Sequence, residues 1–92
     1  MKIIVEDRYD ALELAEETAR IGKEYGWHEM SRNEIDALAD FVGEVGYEGD
    51  LRQFTDNYLI NADRVYSPTE EEKEDALFCY EDDGESVAVM FF

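Results

Sequence analysis

Composition and charge exclude several classes of protein before any motif is considered. The 92 residues include 45% hydrophobic and 13% aromatic side chains, enough for one modest core, so we expect a single domain over residues 1–92. The 25 acidic side chains outnumber the 8 basic ones and give a formal net charge of −17. Such a chain repels phosphate backbones and anionic membranes, and its expected partners are basic proteins.

Cysteine usage and hydropathy favour the cytoplasm. Cys79 is the only cysteine, so an internal disulfide cannot form and a reducing compartment is favoured. No apolar run approaches the length of a signal-peptide core or of a membrane span. We therefore expect a cytoplasmic protein that does not bind membranes.

The chain opens with a short predicted strand and a long helix. Lys2–Val5 is rich in β-branched residues and predicts the strand. Apolar residues then recur at helical spacing over residues 11–25, with Asp7 or Asp10 as the N-cap and Gly26 just past the end. We interpret the acidic face of this helix as solvated surface.

A capping box opens the second predicted helix. Ser31 and Glu34 have the required spacing, and an apolar stripe follows as far as Gly46. The opposite face carries carboxylates at positions i, i+4 and i+8, which we interpret as lacking a basic partner along the row: Asp36, Asp40 and Glu44. Four helical residues advance about 6 Å, so such a row can imitate the spacing of successive phosphates.

A third helix is predicted after a glycine-rich connection. Residues 43–49 are expected to be flexible, and Asp50 then caps a helix that runs to about Asn61 or continues to Tyr66.

A second capping box, from Thr69 to Glu72, opens a short helical turn. The turn concentrates five carboxylates: Glu70, Glu71, Glu72, Glu74 and Asp75. Carboxylates here complement the positive end of the helix dipole, which explains part of the cluster without any partner.

The last residues, 76–92, predict a β-hairpin around the pair Asp83 and Gly84. We expect a loop longer than two residues, because Glu81, Asp82 and Glu85 crowd the same tip around Asp83. One face of the hairpin carries Phe78, Tyr80, Val87, Val89 and Phe91. The other face carries Leu77, Cys79, Ala88, Met90 and Phe92. Since both faces are apolar, a homodimer through the sheet or a bound partner is expected to cover one of them.

The predicted fold class is α+β. The N-terminal strand lies beside the C-terminal hairpin in a small antiparallel three-stranded sheet, and three helices cover one face of that sheet.

No catalytic signature stands out. His28 is the only histidine, so no zinc-ligand spacing exists, and Cys79 lies in mid-strand where a small buried hydrophobe is expected. Trp27 is expected to cover the core. We predict a protein that is not an enzyme and that uses no metal or cofactor.

In size, charge, mixed α/β character and rows of carboxylates, the chain resembles the DNA-mimic inhibitors of phages and mobile elements, the anti-CRISPR and antirestriction proteins. The resemblance implies an inhibitor that blocks the nucleic-acid-binding groove of a bacterial nuclease complex in the host cytoplasm. Asp36, Asp40 and Glu44, the cluster from Glu70 to Asp75 and the tip from Glu81 to Glu85 would then replace phosphates. The chain also resembles barstar-type nuclease inhibitors, acidic domains of about this length that plug a basic active site.

The acidity has another explanation, which is general solubility or adaptation to a high-salt cytoplasm where self-repulsion is screened. In that case the chain is a structural or interaction module, and its function lies in the apolar face of the hairpin.

Overall fold

A computed structural model describes residues 2–91, except for the side chain of Phe91. Five strands and four helices lie within this part of the chain. In chain order they are β1 (Lys2–Val5), α1 (Arg8–Glu24), α2 (Arg32–Val45), β2 (Tyr47–Asp50), α3 (Leu51–Thr55), β3 (Ala62–Tyr66), α4 (Glu70–Asp75), β4 (Phe78–Asp82) and β5 (Glu85–Phe91). The predicted α+β class is confirmed. Phe92, assigned to one face of the hairpin from sequence, lies outside the described residues.

Local capping chemistry sets the helix ends where the sequence predicts them. Asp7 caps α1 by accepting the N–H three residues on, and Ser31 caps α2 in the same way. Gly46 ends α2 with a φ of 76°, which an L side chain rarely adopts. Thr69 and Glu72 form both hydrogen bonds of the capping box that opens α4.

The three-stranded antiparallel sheet exists, but the prediction of its third strand was wrong. Its order is β3-β5-β4, while β1 pairs with β2 in a separate two-stranded sheet. Gly46 reverses the chain after α2, so Tyr47 lies opposite Val5 and Asp50 lies opposite Lys2. This connection was predicted to be flexible, which was also wrong, because β-pairing begins one residue after Gly46.

The third helix is shorter than its longest predicted extent. α3 ends at Thr55 and continues as a π-helical turn, Asp56–Ile60, in which the N–H of Asn61 donates to the carbonyl of Asp56 at 3.0 Å. The extension to Tyr66 was wrong, because β3 occupies those residues. Strand pairing with β5 decides this segment, and β5 lies more than twenty residues further along the chain.

The hairpin closes with a two-residue turn, so the prediction of a longer loop was wrong. Asp82 pairs with Glu85, and Asp83 and Gly84 have φ values of 51° and 80°. This is the backbone of a type I′ turn, for which Asp-Gly is a favoured pair. Repulsion between exposed carboxylates costs only a few tenths of a kcal/mol per pair, so the turn geometry decides the loop length.

The core lies between the α1–α2 helix pair and the inward face of the sheet. Its fully buried side chains include Leu14, Leu38, Phe54, Val87 and Val89. Trp27 packs half-buried against this core. α2 lies along β4, and the rings of Phe41 and Phe78 meet there with centroids 5.9 Å apart.

The apolar side chains on the outward face of the hairpin are less exposed to solvent than the sequence predicted. Ala88 is fully buried and Met90 is 8% exposed, although neither belongs to the main core. The connection from β3 to β4 crosses β5, and the α4 helix within it contacts β5. Cys79 is exposed, so the prediction that it is buried was wrong.

Candidate protein-binding surface

The structure brings the start of α2 to the tip of the hairpin. The side-chain amide of Asn33 donates to the carbonyl of Glu81 at 2.9 Å, while Phe41 meets Phe78 two turns further along α2. α2 and β4 therefore run in opposite directions. The predicted row on α2 begins near the tip and follows β4 away from it.

α4 approaches the same tip from the other edge of the sheet. The hydroxyl of Ser67 donates to the carboxylate of Glu85 and its N–H donates to the carbonyl of Ser86, both at 2.9 Å. At the far end, the N–H of Leu77 donates to the carbonyl of Val89 at 2.8 Å. The segment that contains α4 therefore leaves the sheet beside the tip, at Ser67, and returns to it at Leu77, next to Val89.

The interpretation of the α2 row as unpaired was wrong for two of its three members. Asp36 pairs with Arg32 at 3.0 Å, and Asp40 pairs with Arg8 of α1. Arg32 lies one turn before Asp36 on the same row, a spacing visible in the sequence, whereas the approach of Arg8 depends on tertiary packing. Only Glu44 makes no ion pair among residues 2–91.

Neutralising this row tests the pairing. We expect the triple variant Asp36→Asn, Asp40→Asn, Glu44→Gln to change the free energy of unfolding by less than about 1 kcal/mol, because exposed ion pairs contribute little and their loss is offset by relief of repulsion along the row. Urea denaturation followed by circular dichroism measures the change. A loss above about 2 kcal/mol would show that these pairs hold α1 and α2 together.

Six of the nine carboxylates predicted on α4 and at the hairpin tip are uncompensated among residues 2–91, making neither an ion pair nor a side-chain hydrogen bond. We call them the unpaired carboxylates: Glu71, Glu74 and Asp75 on α4, and Glu81, Asp82 and Asp83 at the hairpin tip. The other three predicted members of these two clusters are engaged. Glu70 lies 3.5 Å from Lys73, Glu72 closes the capping box, and Glu85 accepts from Ser67.

A groove of about 660 Å³ lies between α2 and β4. Phe41, Leu77 and Phe78 supply apolar lining, and the exposed Cys79 also faces it. The charged residues of the groove are Arg8, Asp40 and Glu44. An apolar lining with carboxylates beside it suits a side chain with an aliphatic stem and a cationic head.

Beneath this surface lies a buried polar network that sequence reasoning missed. The side chain of Glu34 is 1% exposed, and its Oε1 lies 2.8 Å from Nε2 of His28. Its Oε2 accepts from Arg64 at 2.7 Å, and the side chain of Arg64 is only 8% exposed. The same Arg64 nitrogen donates to the carbonyl of Tyr58 at 3.0 Å.

Only half of the predicted capping box at Ser31 therefore forms. The N–H of Glu34 donates to the hydroxyl of Ser31 at 3.1 Å, but the carboxylate of Glu34 turns inward instead of returning to the N-cap. The sequence signal for a buried partner of Glu34 was Arg64. It was missed because residues 62–66 were predicted as a possible extension of the third helix.

Tyr80 completes the network. Burial, followed by the negative charge of Glu34, raises the pKa of the Tyr80 hydroxyl. The network thus joins α2 to β3 through the bond from Arg64 to Glu34, and Tyr80 of β4 senses the same carboxylate. It holds the acidic surfaces of α2 and the hairpin in one relative position.

Residues 2–91 contain neither a metal-ligand group nor a membrane-spanning helix. Within residues 2–91, no group of three or more histidine, cysteine, aspartate or glutamate side chains is arranged to hold a metal ion. No helix in this part of the chain has the length and apolar character to cross a bilayer.

Comparison with known proteins returned nothing similar. No protein-family model matches the chain, and searches of curated proteins and of solved structures found no significant match.

Proposed function

We propose that the protein is an acidic inhibitor that imitates nucleic-acid phosphates and occupies the basic DNA- or RNA-binding groove of a bacterial defence nuclease complex, as an anti-CRISPR or antirestriction protein does. The observation that carries this proposal is the set of unpaired carboxylates on α4 and the hairpin tip. Their charge is not cancelled within residues 2–91, so it is available to lysine and arginine side chains of a partner.

Spacing and rigidity support the same proposal. Glu71 and Asp75 are four residues apart on α4, which corresponds to about 6 Å of rise along a helix. The tip carboxylates lie on or beside a turn whose backbone is set by Asp83 and Gly84. Charges held on such elements lose little conformational freedom when they bind.

The structure changes the relative weight of the three predicted surfaces. Asp36 and Asp40 already have cationic partners, so binding through them would require exchange of one ion pair for another. The tip and α4 need no such exchange. We therefore assign the main contact to these two surfaces and a smaller share to Glu44.

Competition for nucleic acid is the direct test. We expect excess protein to displace DNA from restriction or CRISPR effector complexes at about 50 mM salt, with affinity that falls steeply toward about 300 mM, because a basic groove binds through several lysine and arginine contacts. Fluorescence anisotropy of labelled DNA measures the displacement. Unchanged DNA binding across a panel of such complexes at low salt would contradict the proposal.

This activity needs neither catalysis nor a cofactor, and it would be exerted in the cytoplasm of the host cell, where these complexes meet DNA. A barstar-type inhibitor would use the same unpaired carboxylates against the active site of a single nuclease. Inhibition of an isolated nuclease without displacement of DNA from an effector complex distinguishes that case.

One observation favours a second candidate, an interaction module whose acidity is general solvation. The groove between α2 and β4 is lined partly by aromatic and aliphatic side chains, which can also hold apolar side chains of a partner that binds no nucleic acid. No competition at low salt, together with a free energy of unfolding that rises markedly in molar salt, would favour this candidate.

A further inference from the structure

The three-stranded sheet has two edges, β3 and β4, because β5 lies in the centre. An edge strand presents backbone N–H and C=O groups that can pair with a strand from another chain. The two edges differ in how far these groups are already occupied.

The ladder between β3 and β5 shows which groups of β3 point outward. The hydrogen bond from the N–H of Ser67 to the carbonyl of Ser86 marks one bonded pair. Bonded and non-bonded pairs alternate in an antiparallel ladder, so Val65 bonds to β5. The intervening residues, Arg64 and Tyr66, direct their backbone N–H and C=O groups away from the sheet.

The same alternation places the outward groups of β4 at Cys79 and Glu81. This edge is partly closed, because the side chain of Asn33 donates to the outward carbonyl of Glu81 at 2.9 Å. α2 also lies along β4. A strand that docks against β4 would have to displace both the hydrogen bond from Asn33 and the first turn of α2.

The β3 edge remains open. The outward carbonyl of Ala62 accepts a hydrogen bond from the side chain of Arg64 at 3.3 Å. The backbone N–H and C=O groups of Arg64 and Tyr66 have no partner on the outward side among residues 2–91. Residues two apart on an edge are the repeat that a docked strand uses, so these two residues can exchange four backbone hydrogen bonds.

The acidic side chains around the β3 edge favour a basic partner. Asp63 is exposed and makes no ion pair in the described chain, and Glu85 lies at the end of β3 against Ser67. The exposed ring of Tyr66 adds an aromatic surface to this edge. A second copy of the chain would bring another 17 net negative charges to the same edge, so a basic segment fits it better than self-pairing.

We propose that the outward edge of β3 docks an extended basic segment of a partner protein as an additional strand. The inference does not depend on phosphate mimicry, because the contact requires a polypeptide backbone and uses none of the unpaired carboxylates. A partner side chain such as lysine or arginine lies opposite Asp63, while apolar side chains alternate with it along the docked strand.

A capped peptide of about eight residues with alternating lysine and valine is the probe. We expect its addition to the ¹⁵N-labelled protein to shift the amide signals of Arg64 and Tyr66 and to slow their hydrogen exchange. A peptide with glutamate in place of lysine should leave both signals unchanged. Shifts confined to Asn33, Cys79 and Glu81 would overturn the proposal, as would no shift anywhere.

Two variants test the edge without removing a ladder bond. Tyr66→Pro deletes an outward N–H, and Asp63→Lys leaves the backbone intact but reverses the charge; each should weaken peptide binding roughly tenfold or more. Asn33→Ala, which opens the other edge, should leave binding at β3 unchanged. If Tyr66→Pro unfolds, Asp63→Lys decides alone. Full binding by Asp63→Lys, or a peptide-free dimer that pairs through β3, would overturn the inference.

Discussion

Replacing Glu34 by alanine is expected to lower the free energy of unfolding by about 3 to 5 kcal/mol, because the buried Arg64 then loses its counter-charge. The side chain of Arg64 is 8% exposed and would keep only its contacts with the carbonyls of Tyr58 and Ala62. Small domains are stable by about 5 to 15 kcal/mol, so much of the total would be lost. Urea denaturation monitored by circular dichroism measures the change.

Two further variants separate charge from packing in this network. Glu34→Gln keeps the side-chain size and some hydrogen bonding, so its loss should be smaller than that of alanine. The double variant Glu34→Leu, Arg64→Met removes both charges together and should be more stable than either single replacement. Asp40→Ala, which breaks the exposed pair with Arg8, is the matched control and should cost no more than about 1 kcal/mol. An equal effect of Asp40→Ala and Glu34→Ala would contradict the assigned role of burial.

Neutralising the hairpin tip is expected to weaken binding to a basic partner roughly tenfold or more, mainly by slowing association, because long-range attraction scales with the charge presented. The variant is Glu81→Gln, Asp82→Asn, Asp83→Asn. Asparagine tolerates the φ of 51° at residue 83, so the turn and the fold should be retained.

A second triple variant on α4, Glu71→Gln, Glu74→Gln, Asp75→Asn, should act in the same direction. Surface plasmon resonance at several salt concentrations should show slower association and a shallower salt dependence for both.

A control of equal charge is available elsewhere on the chain. Glu13, Glu16 and Glu29 are exposed and make no ion pair among residues 2–91. Replacing all three by glutamine removes the same number of charges as either test variant. If this control weakens binding as much as the tip variant, net charge rather than position governs association. Undiminished binding by both test variants would move the interface to the groove between α2 and β4.

Some site predictions depended on local chemistry and others did not. The capping box at Thr69 and the turn at Asp83 and Gly84 involve residues within three positions of each other, and both were recognisable. The pairing of Asp36 with Arg32 was also local and could have been read from the i,i+4 spacing. Arg8 could not be assigned to Asp40 in this way, because α1 and α2 must first pack together.

The sequence by itself determined the α+β class, the caps at Ser31 and Thr69, the position of the hairpin turn and the strongly acidic surface, and it left Asp7 and Asp10 as alternative caps of α1. These properties follow from composition or from residues close together in the chain. Only the tertiary structure decided that β1 pairs with β2, that β3 joins the hairpin, and that Glu34 turns inward to Arg64. Strand partners and buried ion pairs are selected by contacts across tens of residues, and a local pattern such as a capping box is overruled when a buried charge needs its partner.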